Sequence, residues 1–256
     1  MDTKLFNYHL PEELIADNPL ARGESRMMVL DRSNSVINHL KFGEIINFID
    51  ENTTVVFNST KVIPARIFGK RATGGVVEFL LIKHVENGLW QVMVKCSKRL
   101  VYGEKVNFEN GVTAEIISRN EQFADVRFSL DNVQLLKFLD QFGDVPLPPY
   151  ILKRRNEKKS RIEDREKYQT VYAQVPGSVA APTAGLHFNE EILKKIHEIT
   201  KGHVENVVLD VGLGTFLPVK SEKVEEHKMH NERFVITEDC AHRLNNDKKA
   251  GRKILR

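Results

Sequence analysis

The spacing of apolar residues along the chain changes character twice. In residues 1–65, apolar positions from Phe42 to Ile49 follow helical spacing, and the β-branched run from Thr53 to Phe57 predicts a strand. From Ile67 to Leu130, short segments rich in Val, Ile and Phe alternate with turn residues such as Asn110-Gly111. This second pattern is typical of a small antiparallel barrel or sandwich.

Helical spacing returns after the β-rich region, from Val133 to Phe142, and the prolines of 146–149 then predict an extended connection. A further helix is predicted from Asn189, a good capping residue, and residues 204–211 read as a strand. The sequence therefore predicts an α/β domain with a mixed sheet, interrupted by an inserted small antiparallel β-barrel domain. The predicted boundaries are 1–65 for the first part of the α/β domain, 66–145 for the barrel, and 146–256 for the second part, which looks cut short.

Composition argues against a membrane-spanning protein and against cysteine-based sites. The chain has 256 residues, 41% of them hydrophobic, yet no apolar stretch approaches the roughly 20 residues that a membrane span needs. The amino terminus does not resemble a signal peptide, so a cytoplasmic location without membrane contact is expected. The two cysteines, Cys96 and Cys240, are far apart and favour neither a disulfide framework nor a cysteine-based zinc site.

Charge is concentrated in one segment. The formal net charge is only +3, but residues 151–167 carry eight basic against four acidic side chains. Such a run is usually a solvated face, and it would also suit sequence-independent contact with a phosphate backbone. The sequence alone leaves both interpretations open.

Three loops lie at the ends of predicted elements, at 58–60, 180–188 and 212–216. Ligands of open α/β sheets bind beyond the carboxyl ends of strands, so these loops are candidates to share one crevice. The pair Gly212-x-Gly214 does not extend to a dinucleotide fingerprint, because a third glycine is missing and Pro218 opposes a following helix.

Two groups of histidines are candidates for acid–base chemistry. His227, His230 and Glu232 form H-x-x-H-x-E, which could bind a metal or move protons, although the spacing favours proton transfer over a zinc site. His187 lies beside a predicted helix start, where it is either a packed core histidine or a functional one.

Seven motifs in order resemble one family across nearly the whole chain, the S-adenosylmethionine:tRNA ribosyltransferase-isomerases. They are YHLPEELIADNPL (8–20), NSTKVIPAR (58–66), DVPLPPYI (144–151), YQTVYA (168–173), GSVAAPTAGLHF (177–188), VGLGTF (211–216) and HKMHNE (227–232).

The resemblance implies an α/β domain interrupted by a barrel, and it implies an enzyme of queuosine biosynthesis. Such an enzyme transfers the ribosyl moiety of S-adenosylmethionine to an aminomethyl-deazaguanine at the tRNA wobble position. It isomerises that moiety to give epoxyqueuosine and releases adenine and methionine. No metal and no cofactor are expected, because S-adenosylmethionine is consumed as a substrate; the expected partners are tRNA and S-adenosylmethionine, and the expected state is a monomer.

The resemblance also suggests roles for residues within the matching motifs. The expected catalytic acid–base groups are His187, His230 and Glu232. The expected substrate-binding residues are Asn58, Thr60, Arg66, Thr183, Ala184, Gly185, Gly212, Gly214, Thr215 and His227. The expected tRNA-binding residues are Arg66, Lys153, Arg154, Arg155, Lys158, Lys159 and Arg161.

Two departures from the family pattern affect these expectations. Asp210 stands where members usually have histidine, which replaces a possible proton donor by a carboxylate. The chain also lacks the later family segments resembling VGTTS-x-R and TNFHLP, so a truncated, catalytically inactive tRNA-binding protein is the alternative. An ordinary methyltransferase is disfavoured, because Asn58-Ser59-Thr60 is not a glycine-rich loop after the first strand.

Overall fold

The structure, a computed structural model, describes residues 1–16 and 18–256. Asp17, which falls within the first family motif, and the side chain of Phe216 lie outside the described part. Among the residues described, no helix is both long enough and apolar enough to span a membrane.

The elements include the predicted strand after residue 52, the β-rich segments and the helices after residues 131 and 189, together with others that the sequence did not predict. The strands are β1 (Arg26–Asp31), β2 (Val36–Lys41), β3 (Thr53–Asn58), β4 (Thr60–Val62), β5 (Arg66–Arg71), β6 (Val76–Glu86), β7 (Leu89–Cys96), β8 (Lys105–Asn107), β9 (Thr113–Asn120), β10 (Phe123–Phe128), β11 (Val175–Ser178), β12 (Val204–Leu209), β13 (Phe234–Val235) and β14 (Lys253–Leu255). The α-helices are α1 (Asn132–Phe142), α2 (Pro149–Arg155), α3 (Asp164–Lys167), α4 (Glu190–Ile199) and α5 (Glu238–Lys249). Short 3-10 helices cover Thr3–Phe6, Glu12–Leu14, Phe42–Phe48, Glu109–Gly111, Thr183–His187, Leu213–Phe216 and Val224–Glu226.

The chain divides into two compact units. The barrel unit comprises Met1–His9, Val62–Arg165 and Gly212–His230, and the sheet unit comprises Leu10–Lys61, Glu166–Val211 and Asn231–Arg256. The chain therefore passes between the units several times. The domain boundaries drawn from the sequence at 65/66 and 145/146 stay predictions.

A closed barrel in the order β10-β7-β6-β5-β8-β9 forms the centre of the barrel unit, and each neighbouring pair is antiparallel. Its strands alternate strictly: Val77, Phe79 and Leu81 of β6 are fully buried, whereas the residues between them face outward. Helix α1 closes the core by burying Leu135 and Leu139. The predicted inserted antiparallel barrel is confirmed.

The sheet unit contains a four-stranded sheet in the order β13-β12-β3-β14. Strands β12 and β14 run parallel to β3, while β13 pairs with β12 in the antiparallel direction, so the predicted mixed sheet is confirmed. Helix α4 packs Ile192 and Ile196 against Val55 and Phe57 of β3. The helix begins where predicted, because the Asn189 side chain accepts a hydrogen bond from the Ile192 N–H.

The prolines of 146–149 behave differently from the expectation of a purely extended connection. Pro149 is the first residue of α2 rather than part of an extended stretch. A proline fits there because the first turn of a helix leaves its N–H groups without intrahelical partners, and the fixed φ of proline suits the helix. The first three basic residues of the segment, Lys153, Arg154 and Arg155, therefore lie on this short helix.

A buried polar cluster fixes the carboxyl-terminal helix α5 to the sheet. The carboxylate of Asp247 accepts a hydrogen bond from Thr54 Oγ1 at 2.8 Å and lies 3.0 Å from His203 Nδ1. Arg252 Nε donates to the same Thr54 hydroxyl at 3.0 Å. Burial acts to raise the pKa of Asp247, but the hydrogen bonds from His203 and Thr54, with the nearby positive charges, hold it below its ordinary value. The ionised carboxylate is thus the stable form here.

Candidate functional site

The carboxyl ends of β3 and β12 meet at one edge of the sheet, because the two strands are parallel. Asn58 joins them: its Nδ2 donates to the Leu209 carbonyl and its Oδ1 accepts from the Leu209 N–H, both at 2.9 Å. The side chain predicted to bind substrate is therefore already engaged in holding the two strand ends together. Its role in this structure is to position the residues that follow each strand.

A chain of hydrogen bonds lies just beyond these strand ends. The Val211 N–H donates to Ser178 Oγ at 2.8 Å, Ser178 Oγ lies 2.7 Å from Thr60 Oγ1, and Thr60 Oγ1 donates to Asp210 Oδ1 at 3.2 Å. Thr60 has a single hydroxyl proton, so if it donates to Asp210 the Ser178 hydroxyl must donate to Thr60. The protons then all point toward the carboxylate of Asp210.

Space around Asp210 is restricted on one side and open on another. A Cβ at Gly177 would lie 2.8 Å from Asp210 Oδ1, so a residue without a side chain is required there. On the open side, Arg233 Nη1 lies 3.8 Å from Asp210 Oδ2, and the Arg233 side chain is 77% exposed. The site therefore combines a carboxylate with an exposed cation that a ligand can reach.

The loop before α4 is a 3-10 turn, Thr183–His187, supported from below by aromatic side chains. Gly185 is buried so tightly that a Cβ would lie 2.3 Å from the Tyr172 hydroxyl oxygen and 2.7 Å from Thr170 Cγ2. The Tyr172 ring in turn lies 4.6 Å from that of Phe57 on β3. Burial raises the pKa of Tyr172 to about 12, so its hydroxyl stays protonated at neutral pH.

Arg22 anchors the same loop from the other side. Its guanidinium donates to the carbonyls of Leu186 at 2.9 Å, Gln169 at 2.6 Å and Glu166 at 3.1 Å. Those three bonds connect the loop before α4 to the chain that leads into it. The exposed residues Thr183 and Ala184 precede the anchored Leu186 in the turn.

His187 is half-buried at the end of this loop, with its ring 5.2 Å from that of Phe42. Burial, reinforced by the positive charge of Arg22, lowers the pKa of His187 below its ordinary value. The imidazole is therefore neutral at pH 7 and able to accept a proton. This is the protonation state that a general base requires.

The barrel unit holds a second group of predicted site residues. Gly214 lies in the turn Leu213–Phe216, and a Cβ there would lie 3.2 Å from His230 Cδ2. His230 and Thr215 are exposed, whereas His227 is half-buried and donates its N–H to the Val224 carbonyl. The structure thus packs the glycine-rich turn directly against the imidazole of His230.

The predicted acid–base residues are distributed over both units. His187 and the exposed Glu232 belong to the sheet unit, with Asn58, Thr60 and the Thr183–Gly185 turn, whereas His230 belongs to the barrel unit. The barrel unit also holds Arg66, Gly212, Gly214, Thr215 and His227. Among the residues that the structure describes, no cluster of three His, Cys, Asp or Glu side chains has the arrangement of a metal site.

The basic segment contains one residue that the tRNA-binding prediction assigned wrongly. The Arg155 side chain is only 3% exposed, and its guanidinium bonds to both carboxylate oxygens of Asp164, at 3.0 and 2.7 Å. A guanidinium buried in an ion pair with a carboxylate is not available to a phosphate. We therefore remove Arg155 from the predicted phosphate contacts, since its role is to hold α2 against the start of α3.

The other predicted tRNA-binding residues fall into two sets. Arg66 donates to Glu78 at 2.7 Å and to the Lys158 carbonyl at 2.8 Å, and Arg161 donates to Glu157 at 2.9 Å, so both are engaged within the barrel unit. The remaining side chains are exposed and lie on or just after α2: Lys153, Arg154, Lys158 and Lys159.

Comparison with known proteins gives the family. A family model described as "Queuosine biosynthesis protein" matches residues 3–256. The chain belongs to this family. A protein of Treponema denticola is 45% identical and one of Staphylococcus epidermidis 42% identical, both over all of this chain, which spans 74% and 73% of their lengths. Each is named S-adenosylmethionine:tRNA ribosyltransferase-isomerase.

Among solved structures, the chain is similar to an S-adenosylmethionine tRNA ribosyltransferase from Thermotoga maritima. The two are 25% identical, and the match covers 97% of this chain and 67% of the other, with a TM-score of 0.38.

Residues of the candidate site that were not predicted from the sequence include Ser178, Tyr172, Arg22 and Arg233. Ser178 and Tyr172 lie inside matching motifs, so the motif signal contained them, but neither residue type stands out as catalytic. Arg22 lies outside every motif, and its three bonds to carbonyls depend on segments more than 140 positions away. No local pattern in the sequence signals such a role.

Proposed function

We propose that this chain transfers the ribosyl moiety of S-adenosylmethionine to an aminomethyl-deazaguanine at the wobble position of tRNA and isomerises it to give epoxyqueuosine. The observation that carries this proposal is the 42–45% identity, over the whole chain, with relatives named for this activity. Adenine and methionine are the other products. A single chain without a cofactor carries the reaction, and S-adenosylmethionine is consumed as a substrate.

The reaction needs a base near a sulfonium. The positive sulfur acidifies the adjacent ribose carbon, and a base removes the proton there, while departing adenine needs a proton or a hydrogen bond. His187 is suited to the first task, because its lowered pKa keeps the imidazole neutral. His230 and Glu232, both exposed, are suited to exchange protons with the leaving base.

The remaining roles follow from what each group can offer. The backbone of Thr183, Ala184 and Gly185, held in place by Arg22 and Tyr172, binds the methionine carboxylate. In the barrel unit, Gly212, Gly214 and Thr215 allow close backbone approach of a nucleoside, and His227 belongs to the same unit. Asp210, with protons directed at it from Thr60, supplies a negative charge that attracts the sulfonium cation.

Adenine release tests the proposal. The chain is incubated with S-adenosylmethionine and tRNA carrying the aminomethyl-deazaguanine, and the small molecules are separated by chromatography. The expected products are adenine and methionine in equal amounts. Formation of S-adenosylhomocysteine would instead identify a methyltransferase, and tRNA binding without adenine would support the alternative of a catalytically inactive tRNA-binding protein.

The catalytic assignments are tested separately, by single-turnover transfer with His187→Ala, His230→Ala and Glu232→Gln. Each is expected to slow transfer by about 100-fold or more, the usual contribution of a positioned acid or base. The matched control is His39→Ala, which removes an exposed imidazole on β2 and should leave the rate unchanged. Rates near that of the unsubstituted chain in all three variants would remove these roles while leaving the activity itself intact.

A further inference from the structure

A large groove lies on the outside of the barrel, entirely within the barrel unit. We call it the barrel groove. Its floor is formed by outward-facing residues of β5, β6 and β7, and its walls by the segment 146–158 and by Leu213 and Leu217. Its volume is about 920 Å³, which is at the upper end of the range of small-molecule binding sites.

Part of the groove floor is apolar, on a face where a barrel is normally polar. Alternation places Val77, Phe79 and Leu81 inside, so Leu80 points outward, and it lies directly opposite Met93 of β7. Leu147 of the wall, itself buried, continues this apolar surface. The arrangement leaves an apolar floor with room above it.

Positive charge surrounds this floor. Lys95, Lys153 and Lys158 line the groove and are exposed, and within the described part of the chain none of them has an ion-pair partner. The two acidic residues of the lining are already paired, Glu78 with Arg66 and Glu157 with Arg161. Four basic and two acidic side chains line the groove, so it presents a net charge of about +2 beside an apolar surface.

A further cation, Lys159, lies at the rim of the groove, where it contacts the ring of Phe68. The Arg66 guanidinium and the Lys159 ammonium each lie 5.0 Å from the centroid of that ring. Cation–π contacts of this kind hold flexible basic side chains at a fixed place. Lys159 is thereby kept at the groove rather than dispersed in solvent.

A ligand that fits must combine a flat apolar body with negative charge. A nucleotide of single-stranded RNA has both, whereas the net positive charge of S-adenosylmethionine is repelled by the lysines. The groove also lies next to the predicted chemistry. Leu213 lines it, and the neighbouring Gly214 packs against His230.

We propose that the barrel groove binds one nucleotide of tRNA that flanks the modified base. The base rests on Leu80, Met93 and Leu147, and the adjoining phosphates contact Lys95, Lys153 and Lys158. This inference rests on the proposed function, and it assigns Met93 and Lys95 to RNA recognition although neither lies in a family motif or in the basic segment.

The test measures binding of an anticodon stem-loop RNA to the full chain by fluorescence anisotropy at several salt concentrations. Lys95→Glu is expected to weaken binding about tenfold and to reduce the slope of log affinity against log salt by about one. Met93→Ala should weaken binding about fivefold with an unchanged salt slope, because it removes apolar contact only. The matched control is Lys105→Glu, an exposed lysine on β8 outside the groove, which should change affinity less than twofold.

Crosslinking locates the contact directly. RNA with 4-thiouridine on either side of the wobble position should crosslink to peptides from β6 and β7. Affinity that is unchanged in both groove variants, or reduced equally by Lys105→Glu, would overturn the groove assignment, as would crosslinks confined to other strands.

Adenine release by the unsubstituted chain separates the two proposals. If adenine is released but Lys95→Glu and Met93→Ala bind RNA normally, only the groove assignment fails. If the unsubstituted chain neither binds the stem-loop nor releases adenine, the proposed function fails and the groove assignment with it. Unchanged circular dichroism of the two variants, both at surface positions, confirms that any loss is not due to unfolding.

Discussion

Replacing Gly185 with alanine should destabilise the sheet unit by forcing a methyl group into an occupied space. The new Cβ would lie 2.3 Å from the Tyr172 hydroxyl and 2.7 Å from Thr170 Cγ2, whereas comfortable contacts begin at about 3.5 Å. Either the backbone carrying the new methyl group or the Tyr172 side chain must therefore move by about 1 Å. Tyr172 has little freedom to do so, because its ring packs 4.6 Å from that of Phe57.

Overpacking of this kind costs about 1–3 kcal/mol, and for a chain of this size it should lower the melting temperature by roughly 2–12 °C. The assay must report on the sheet unit. Tryptophan fluorescence reports on the barrel unit instead, because the single tryptophan, Trp90, lies in the barrel core. Amide hydrogen exchange of β3 and β12 is the suitable measurement, with Trp90 fluorescence as an internal reference.

Two comparisons make the prediction specific. Gly43→Ala, in the same unit, places its Cβ 3.5 Å from the nearest atom and should leave stability nearly unchanged. In the background Tyr172→Phe with Thr170→Ser, both of the closest atoms are gone and the nearest remaining contact is Tyr172 Cζ at 3.2 Å. The cost of Gly185→Ala should fall there by at least half. An equal cost in both backgrounds would show that the loop is not supported in this way.

The other predictions concern buried charge and pH. Because folding lowers the pKa of Asp247, its contribution to stability is complete above the unfolded pKa and is lost as pH falls through the folded value. The loss of unfolding free energy caused by Asp247→Asn, measured by urea unfolding, should therefore be constant from about pH 7 to 5 and become smaller below about pH 4. For His187, the lowered pKa predicts a transfer rate that rises with pH along a limb below about pH 6.5, and this limb should be absent in His187→Ala. Arg155→Met leaves Asp164 buried without its partner and should cost about 3–5 kcal/mol in chemical unfolding, whereas the exposed neighbour Arg154→Met should change stability by less than about 0.5 kcal/mol.

The features that could be predicted from the sequence are those that local pattern determines. Short segments rich in Val, Ile and Phe, separated by turn residues such as Asn110-Gly111, located the strands of the barrel. The structure adds the alternation, since a one-residue shift would turn Val77 and Phe79 outward. The cap of α4 was likewise predictable, because Asn189 precedes acidic residues and an apolar stripe. In both cases the physical cause lies within a few residues of the feature it explains.

The features that could not be predicted depend on distant partners. Arg155 is one of eight basic residues in its segment, and only the fold shows that Asp164 removes it from solvent. The same holds for Asp210, whose surroundings are set by Thr60 and Ser178, 150 and 32 positions away in the chain. Family motifs marked these segments as important without showing which atoms meet.

The pairing of β3 with β12 has a consequence for how the protein folds during synthesis. Asn58 and Leu209, which bond to each other at the end of these strands, are 151 positions apart, and the whole barrel is encoded between them. On a ribosome the barrel strands emerge consecutively and can close early, whereas β3 must wait for a partner translated much later. The apolar side chains of β3 are thus exposed for many seconds in each new chain, a condition in which chaperones bind.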